Sequence, residues 1–172
     1  MNYCYSTVLG VVLGLIVIGG CSRKSDTPQA ASNAPAGSHT TSEAHDTVWM
    51  TDFEAAKAKA AEEGKDLLVD FSGSDWCYWC KRLSSEVFSK QGFIDSAGEH
   101  FVFVKIDFPS DKSKQSSELR AQNERLQRRF RIQGFPTVIL MTSDAQPYAE
   151  TGYREGGPDA YLTHLEQLRT QK

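Results

Sequence analysis

Two cysteines three positions apart, Cys77 and Cys80, stand directly after a short apolar run and at the head of a segment with helical character. The run, Asp66-Leu67-Leu68-Val69-Asp70-Phe71-Ser72, is too short for an ordinary helix and reads as a buried strand. Cys77 to about Phe88 reads as a helix. Residues i and i+3 share a helical face, so the two sulfurs can meet. The first helical turn also carries unpaired N–H groups and the positive end of the peptide dipoles. That setting favours a thiolate at Cys77. Cys80, one turn deeper, then becomes the resolving thiol of an exchange that passes through a mixed disulfide. A chain built around this pair must bring a strand end and a helix start to one point.

Other uses of the pair fit the residues less well. A structural staple gains stability from the length of the loop it closes, and this loop is nearly the shortest there is. A structural zinc site needs about four ligands, and no second Cys or His pair accompanies these two. A haem attachment site needs His directly after the second Cys, where this chain has Lys81. No metal ligand set is expected. The chain has four cysteines in all, and the remaining two, Cys4 and Cys21, belong to its unusual beginning.

None of the 19 Lys and Arg or 22 Asp and Glu precedes Cys21. Val8 to Ile18 is an unbroken run of Val, Leu, Ile and Gly, 11 residues long. A spanning helix needs about 20, whereas 11 suits the apolar region of a secretory signal. The run ends in Ile18-Gly19-Gly20-Cys21, which resembles a bacterial lipobox. That resemblance implies a signal peptide over 1–20, cleavage before Cys21 and acylation of Cys21, with two or more acyl chains giving stable anchoring. Ser22 in place of Asp leans towards the outer membrane. The first residues lack the usual Lys or Arg, so only the amino terminus supplies positive charge. Residues 21–46, rich in Ser, Thr, Ala, Pro, Gly and His, cannot bury enough surface to order themselves and read as a lipidated tether.

Beyond it, residues 47–172 suffice for one domain with its own core. The net charge of −3 argues against a broad nucleic-acid surface. Thr51-Asp52-Phe53-Glu54 matches a capping box opening a helix that stops at Gly64. Phe101 to Phe108 and Thr137 to Met141 read as strands, and Tyr148 to Tyr153 as an edge strand. A short helix is expected near 93–97, a charged one over 117–130, and an amphipathic one from Pro158 to about Gln171. This order predicts an α/β fold.

The segment DLLVDFSGSDWCYWCKRL resembles the active-site region of the thioredoxin superfamily. It is similar to secreted thioredoxin-like domains and the C-terminal domain of the DsbD reductases. Gly134-Phe135-Pro136-Thr137 before a strand, Gly152 near the end of the last strand and the terminal helix extend the match over about 48–170. The resemblance implies a thioredoxin-like fold, a central mixed sheet of four to five strands with helices on both faces. It implies a cis Phe135–Pro136 bond beside the redox pair, where backbone holds substrate as an added strand. It also implies that Asp70 lies under the cysteines and moves the proton of the buried thiol. Asp70 interrupts an apolar run, a costly position unless the carboxylate is used or paired. The loop from Asp70 to Cys77 is one residue longer than in thioredoxin.

Trp76 is expected to cover the disulfide, and Tyr78 and Trp79 to add an apolar docking surface. Strongly oxidising relatives carry His before the second Cys; Trp79 cannot supply that charge, which tilts the expectation towards reduction or isomerisation. The chain is thus expected to be a monomeric, membrane-anchored thiol–disulfide oxidoreductase on the periplasmic side of the cell envelope. It would need no cofactor, act on envelope protein thiols and disulfides, and be recycled by an upstream membrane or periplasmic electron donor. The alternatives are a thiol oxidant and a non-catalytic binding module that captures a partner or handles Cu(I).

Overall fold

The computed structural model describes residues 48–172. The expected signal over 1–20, the lipidation site Cys21 and the tether over 21–46 lie outside the described residues. The first helix, α1 (Phe53–Glu63), is capped by Asp52, whose carboxylate accepts the Ala55 N–H at 3.0 Å. The expected capping box placed the cap one residue earlier. Thr51 is engaged differently: its carbonyl accepts Gln122 Nε2–H, while Gln122 Oε1 accepts the orphan N–H of Phe53. At the other end Gly64 takes φ +65°, the left-handed conformation that closes a helix.

Four strands form the sheet: β1 (Asp66–Ser72), β2 (Phe101–Asp107), β3 (Thr137–Met141) and β4 (Pro147–Thr151). Their order is β2-β1-β3-β4. β1 runs parallel to β2 and antiparallel to β3, and β4 closes an antiparallel pair with β3. The sheet is mixed, as expected. Beyond β2 the described residues add a single parallel bridge, Met50 to Val104. The remaining helices are α2 (Tyr78–Leu83), α3 (Gln91–Gly98), α4 (Ser117–Arg129) and α5 (Gly157–Arg169).

Alternation along the strands divides the core in two. Leu67, Val69 and Phe71 of β1 join Val102, Val104 and Ile106 of β2 beneath α1 and α4. Leu68 of β1 joins Phe101, Phe103, Val138 and Leu140 against α2, α3 and α5, where Leu83, Phe93 and Tyr161 fill the space. Helices cover both faces. Where one helix was expected from Cys77 to Phe88, α2 gives way at Ser84 to a π turn, Ser84–Phe88, closed by Ser89 N–H to Ser84 C=O at 2.8 Å. The wider turn lets the consecutive Val87 and Phe88 both enter the core.

The loop between β1 and α2 is stitched to the loop after β2. Ser74 donates through its N–H and hydroxyl to the Asp107 carboxylate, at 2.9 and 2.6 Å. Asp75 accepts from the N–H and hydroxyl of Ser110, both at 2.9 Å. The Trp76 indole N–H donates to Phe108 C=O at 2.8 Å. The indole lies across Gly73, where a Cβ would come within 2.5 Å of Trp76 Cε2.

Gly73→Ala should therefore expel the Trp76 ring and destabilise the fold by about 2 kcal/mol in urea unfolding, the scale of overpacking plus a lost hydrogen bond. Asp75 offers a second test. The Ser110 N–H, helped by the Ser110 hydroxyl, the Asp111 N–H and Lys114, holds its carboxyl down to about 2. A carboxyl so depressed contributes stability above its unfolded value near 4 and loses it as pH falls through about 2. Asp75→Asn should melt below the parent at pH 7, and calorimetry should find the difference closing between about pH 4 and pH 2.

Candidate active site

The site forms where β1 ends and α2 begins. Cys77 and Cys80 are disulfide-bonded, with their Cα atoms 5.3 Å apart. Cys77 is the N-cap of α2, and its sulfur accepts the Cys80 N–H at 3.2 Å. The capping group of the helix and the first sulfur of the pair are thus one atom, held against a backbone donor that would stabilise negative charge on it. Both cysteines are buried, Cys80 the more deeply, with 6% of Cys77 and 3% of Cys80 exposed.

Asp70 belongs to the even-numbered set of β1 that faces α2. It lines a cavity of about 360 Å³ together with Cys80, Ser72, Ser84 and Lys105. The longer loop thus leaves the acid on the Cys80 side of the sheet. Asp70 Oδ1 is buried and has no hydrogen-bond partner among the described residues. Burial is the main force on this group and outweighs the Lys105 ammonium, while Asp107 adds to it, so the carboxyl is pushed up to about 7. Lys105 pairs with Asp70 across β1 and β2. Sequence reasoning passed over this lysine, although it interrupts FVFVKIDF much as Asp70 interrupts its own run.

The Phe135–Pro136 peptide bond is cis. Phe135 packs edge-on against Trp76 at 5.9 Å between ring centroids and stacks on Phe108 at 5.2 Å, so the proline loop reaches the residue next to Cys77. Gly152 explains its own place in the pattern: a Cβ there would lie 3.0 Å from the Pro136 carbonyl oxygen. The hydroxyl of buried Tyr161 donates to the Gly152 carbonyl at 3.1 Å, tying α5 to the same corner.

Trp76, Tyr78 and Trp79 are exposed by 51%, 61% and 46%. Trp76 stands on the Phe135 side. Tyr78 and Trp79 form a second aromatic group, 5.1 Å apart edge-to-face, with Trp79 also 5.1 Å from Tyr153. Tyr153 and its partners Arg82 and Glu86 were not singled out by sequence. The hydrogen bond from Tyr153 to Glu86, in the π turn, spans 67 residues, and no local pattern signals it.

Comparison with known proteins agrees with this architecture. The family described as thioredoxin-like domain matches residues 53–169. The disulfide bond reductase DsbH of Chlamydia pneumoniae is 30% identical over 117 residues, 68% of this chain and 69% of that protein. Among solved structures, a DsbH oxidoreductase superposes with a TM-score of 0.67 at 23% identity, over 86% of this chain and 96% of the other. The reduced C-terminal domain of DsbD from Neisseria meningitidis gives 0.50 at 24% identity, over 67% and 93%. The chain belongs to the thioredoxin-like family and is a thiol–disulfide oxidoreductase of that family.

Proposed function

We propose that this protein reduces or isomerises disulfides in proteins of the cell envelope, held to the membrane through a lipidated Cys21. The observation that carries the exchange chemistry is the pairing of two environments. Cys77 caps a helix with its sulfur on a backbone N–H, and Cys80 shares its cavity with the buried Asp70 carboxyl, whose Oδ1 has no hydrogen-bond partner among the described residues. In the reduced protein the Cys77 thiolate attacks a substrate disulfide. One substrate sulfur leaves and takes up a proton, and a mixed disulfide remains. Asp70 accepts the proton of the Cys80 thiol across the shared cavity. Cys80 then attacks the Cys77 sulfur, the second substrate sulfur leaves, and the protein ends as the Cys77–Cys80 disulfide. Two electrons from an upstream membrane or periplasmic donor restore the dithiol.

A carboxyl that ionises near 7 suits this duty, since it can take the proton and give it back at neutral pH. Main chain before Pro136 would hold the substrate strand, flanked by Phe135 and Trp76 on one side and by Tyr78 and Trp79 on the other. The reductive direction is supported by Trp79, which stands where strongly oxidising relatives carry a His and cannot supply its charge, and by the DsbH reductase among the relatives. Localisation to the periplasmic side of the envelope and action as a monomer complete the reading.

The purified chain should reduce insulin, and Cys77→Ser should abolish turnover. Cys80→Ala, expressed in the native host, should accumulate mixed disulfides on Cys77; their absence would overturn the mechanism. The reduction potential is expected nearer the value of about −270 mV typical of thioredoxin than the roughly −120 mV of a dedicated oxidant.

Asp70→Asn should slow reduction about tenfold or more at pH 8 and remove the fall in rate expected of the parent as it is acidified through about 7. Its effect on stability has the opposite sign. Because the folded value is raised, ionising Asp70 weakens the fold progressively from about pH 4 upward and fully above about 7. The asparagine variant should therefore melt above the parent at pH 8 and lose that advantage at pH 4.

A further inference from the structure

The two tryptophans beside the disulfide are held by different means. Trp76 is fixed by its indole N–H, which donates to Phe108 C=O. Trp79 has no such tether: among the described residues its indole N–H makes no hydrogen bond, and nearly half of the side chain is exposed. It leans instead on a closed ring of contacts. Tyr153 packs at 5.1 Å from the Trp79 ring, tilted by 36°. The Arg82 guanidinium carbon lies 5.6 Å from the centre of the Trp79 ring and 5.1 Å from that of Tyr153. Arg82 donates from Nε to Glu86 Oε1 at 2.7 Å, and its Nη2 lies at the same distance from that oxygen. The Tyr153 hydroxyl donates to the other oxygen, Glu86 Oε2, at 2.6 Å.

Each carboxylate oxygen of Glu86 is thus assigned to a different arm of the ring. One arm is local and one is distant: Arg82 lies in α2 four residues before Glu86 in the π turn, whereas Tyr153 comes from the segment after β4, 67 residues on from Glu86 and next to the Gly152 that touches the proline loop. An exposed indole without this support would sample several rotamers, and holding one of them would cost entropy each time a substrate bound. With the ring in place that ordering is done beforehand, and the free indole N–H is kept available for a main-chain carbonyl.

We propose that Tyr153 is a positioning residue for disulfide exchange. Acting through Glu86 and Arg82, it holds Trp79 in a fixed orientation beside the pair and so favours polypeptide disulfides over small ones. A small disulfide needs only the sulfurs. A polypeptide must also lay its backbone and neighbouring side chains along the aromatic wall. The inference rests on the exchange reading above and names the substrate class of that same site.

The test uses the full-length chain in its reduced form. Rates of oxidation by insulin and by bis(2-hydroxyethyl) disulfide are compared for the parent, Tyr153→Phe, Glu86→Ala and Glu86→Gln. Tyr153→Phe keeps the ring and removes one hydrogen bond to a charged group. It should slow reaction with insulin about tenfold, the effect such a bond can carry, and change the rate with the small disulfide less than about twofold. Glu86→Ala should do the same or more. Glu86→Gln, which still offers an acceptor, should recover part of the insulin rate.

In protein labelled with 5-fluorotryptophan, the ¹⁹F resonance assigned by Trp79→Phe should shift or broaden in Tyr153→Phe while that of Trp76 stays in place. An insulin rate unchanged in Tyr153→Phe overturns the proposal. So does an equal loss on both disulfides, which would mark a general effect on the fold or the redox pair. If the parent reacted with neither disulfide, the exchange reading would fall instead, and the fluorine resonance of Trp79 would still report whether the brace exists.

Discussion

Successive side chains of a strand point to opposite faces, and on β1 this rule governs almost everything about the site. Its odd-numbered residues are committed to the core beneath α1 and α4. Its even-numbered residues face the helix that carries the cysteines. Leu68 anchors that second layer, and Asp70, two residues on, lands in the cavity lined by Cys80. A register shift of one residue would turn the carboxylate into the other core and leave an apolar side chain under the sulfur. β1 is protected from such a slip because it is paired on both sides, parallel to β2 and antiparallel to β3. The same pairing sets Lys105 opposite Asp70, so the ammonium that moderates the buried acid arrives through backbone register.

Two opposing solvation effects act at neighbouring points of the site. At Cys77 the start of a helix offers a donor to the sulfur and lowers the cost of negative charge. At Asp70 burial raises that cost, and the carboxyl is pushed up to about 7. The π turn that follows α2 serves a different need. Placing Val87 and Phe88 together in the core draws the chain inward, while Glu86 stays at the surface within reach of Arg82 and Tyr153.

Much of this was legible in the sequence because it is local. DLLVDFS and TVILM announce their strands by composition, and both strands have the limits read from the sequence. Gly64 closes its helix because only a residue tolerant of positive φ fits there. The Cys77/Cys80 spacing and the Phe135-Pro136 motif pointed to the site through chemistry and resemblance. What escaped was non-local. Beside the Asp52 cap, the Phe53 N–H that a Thr51 cap could have taken goes to Gln122, about 70 residues away. The switch from α to π at Ser84 answers to packing that no helical periodicity encodes. Lys105 looked like an ordinary strand residue until its register partner was known, and Tyr153 has no sequence neighbour that hints at Glu86.

The stitching of the loop before α2 to the loop after β2 has a consequence for how this site can diverge. Ser74 answers to Asp107, Asp75 to Ser110, and Trp76 to the Phe108 carbonyl, so three successive residues are matched to a stretch of four. Insertion or deletion in either loop would misalign all three matches together. The two loops therefore form one structural unit, and their lengths should covary among relatives. A chimaera that takes the cysteine-bearing loop from one homologue must take its partner loop from the same parent.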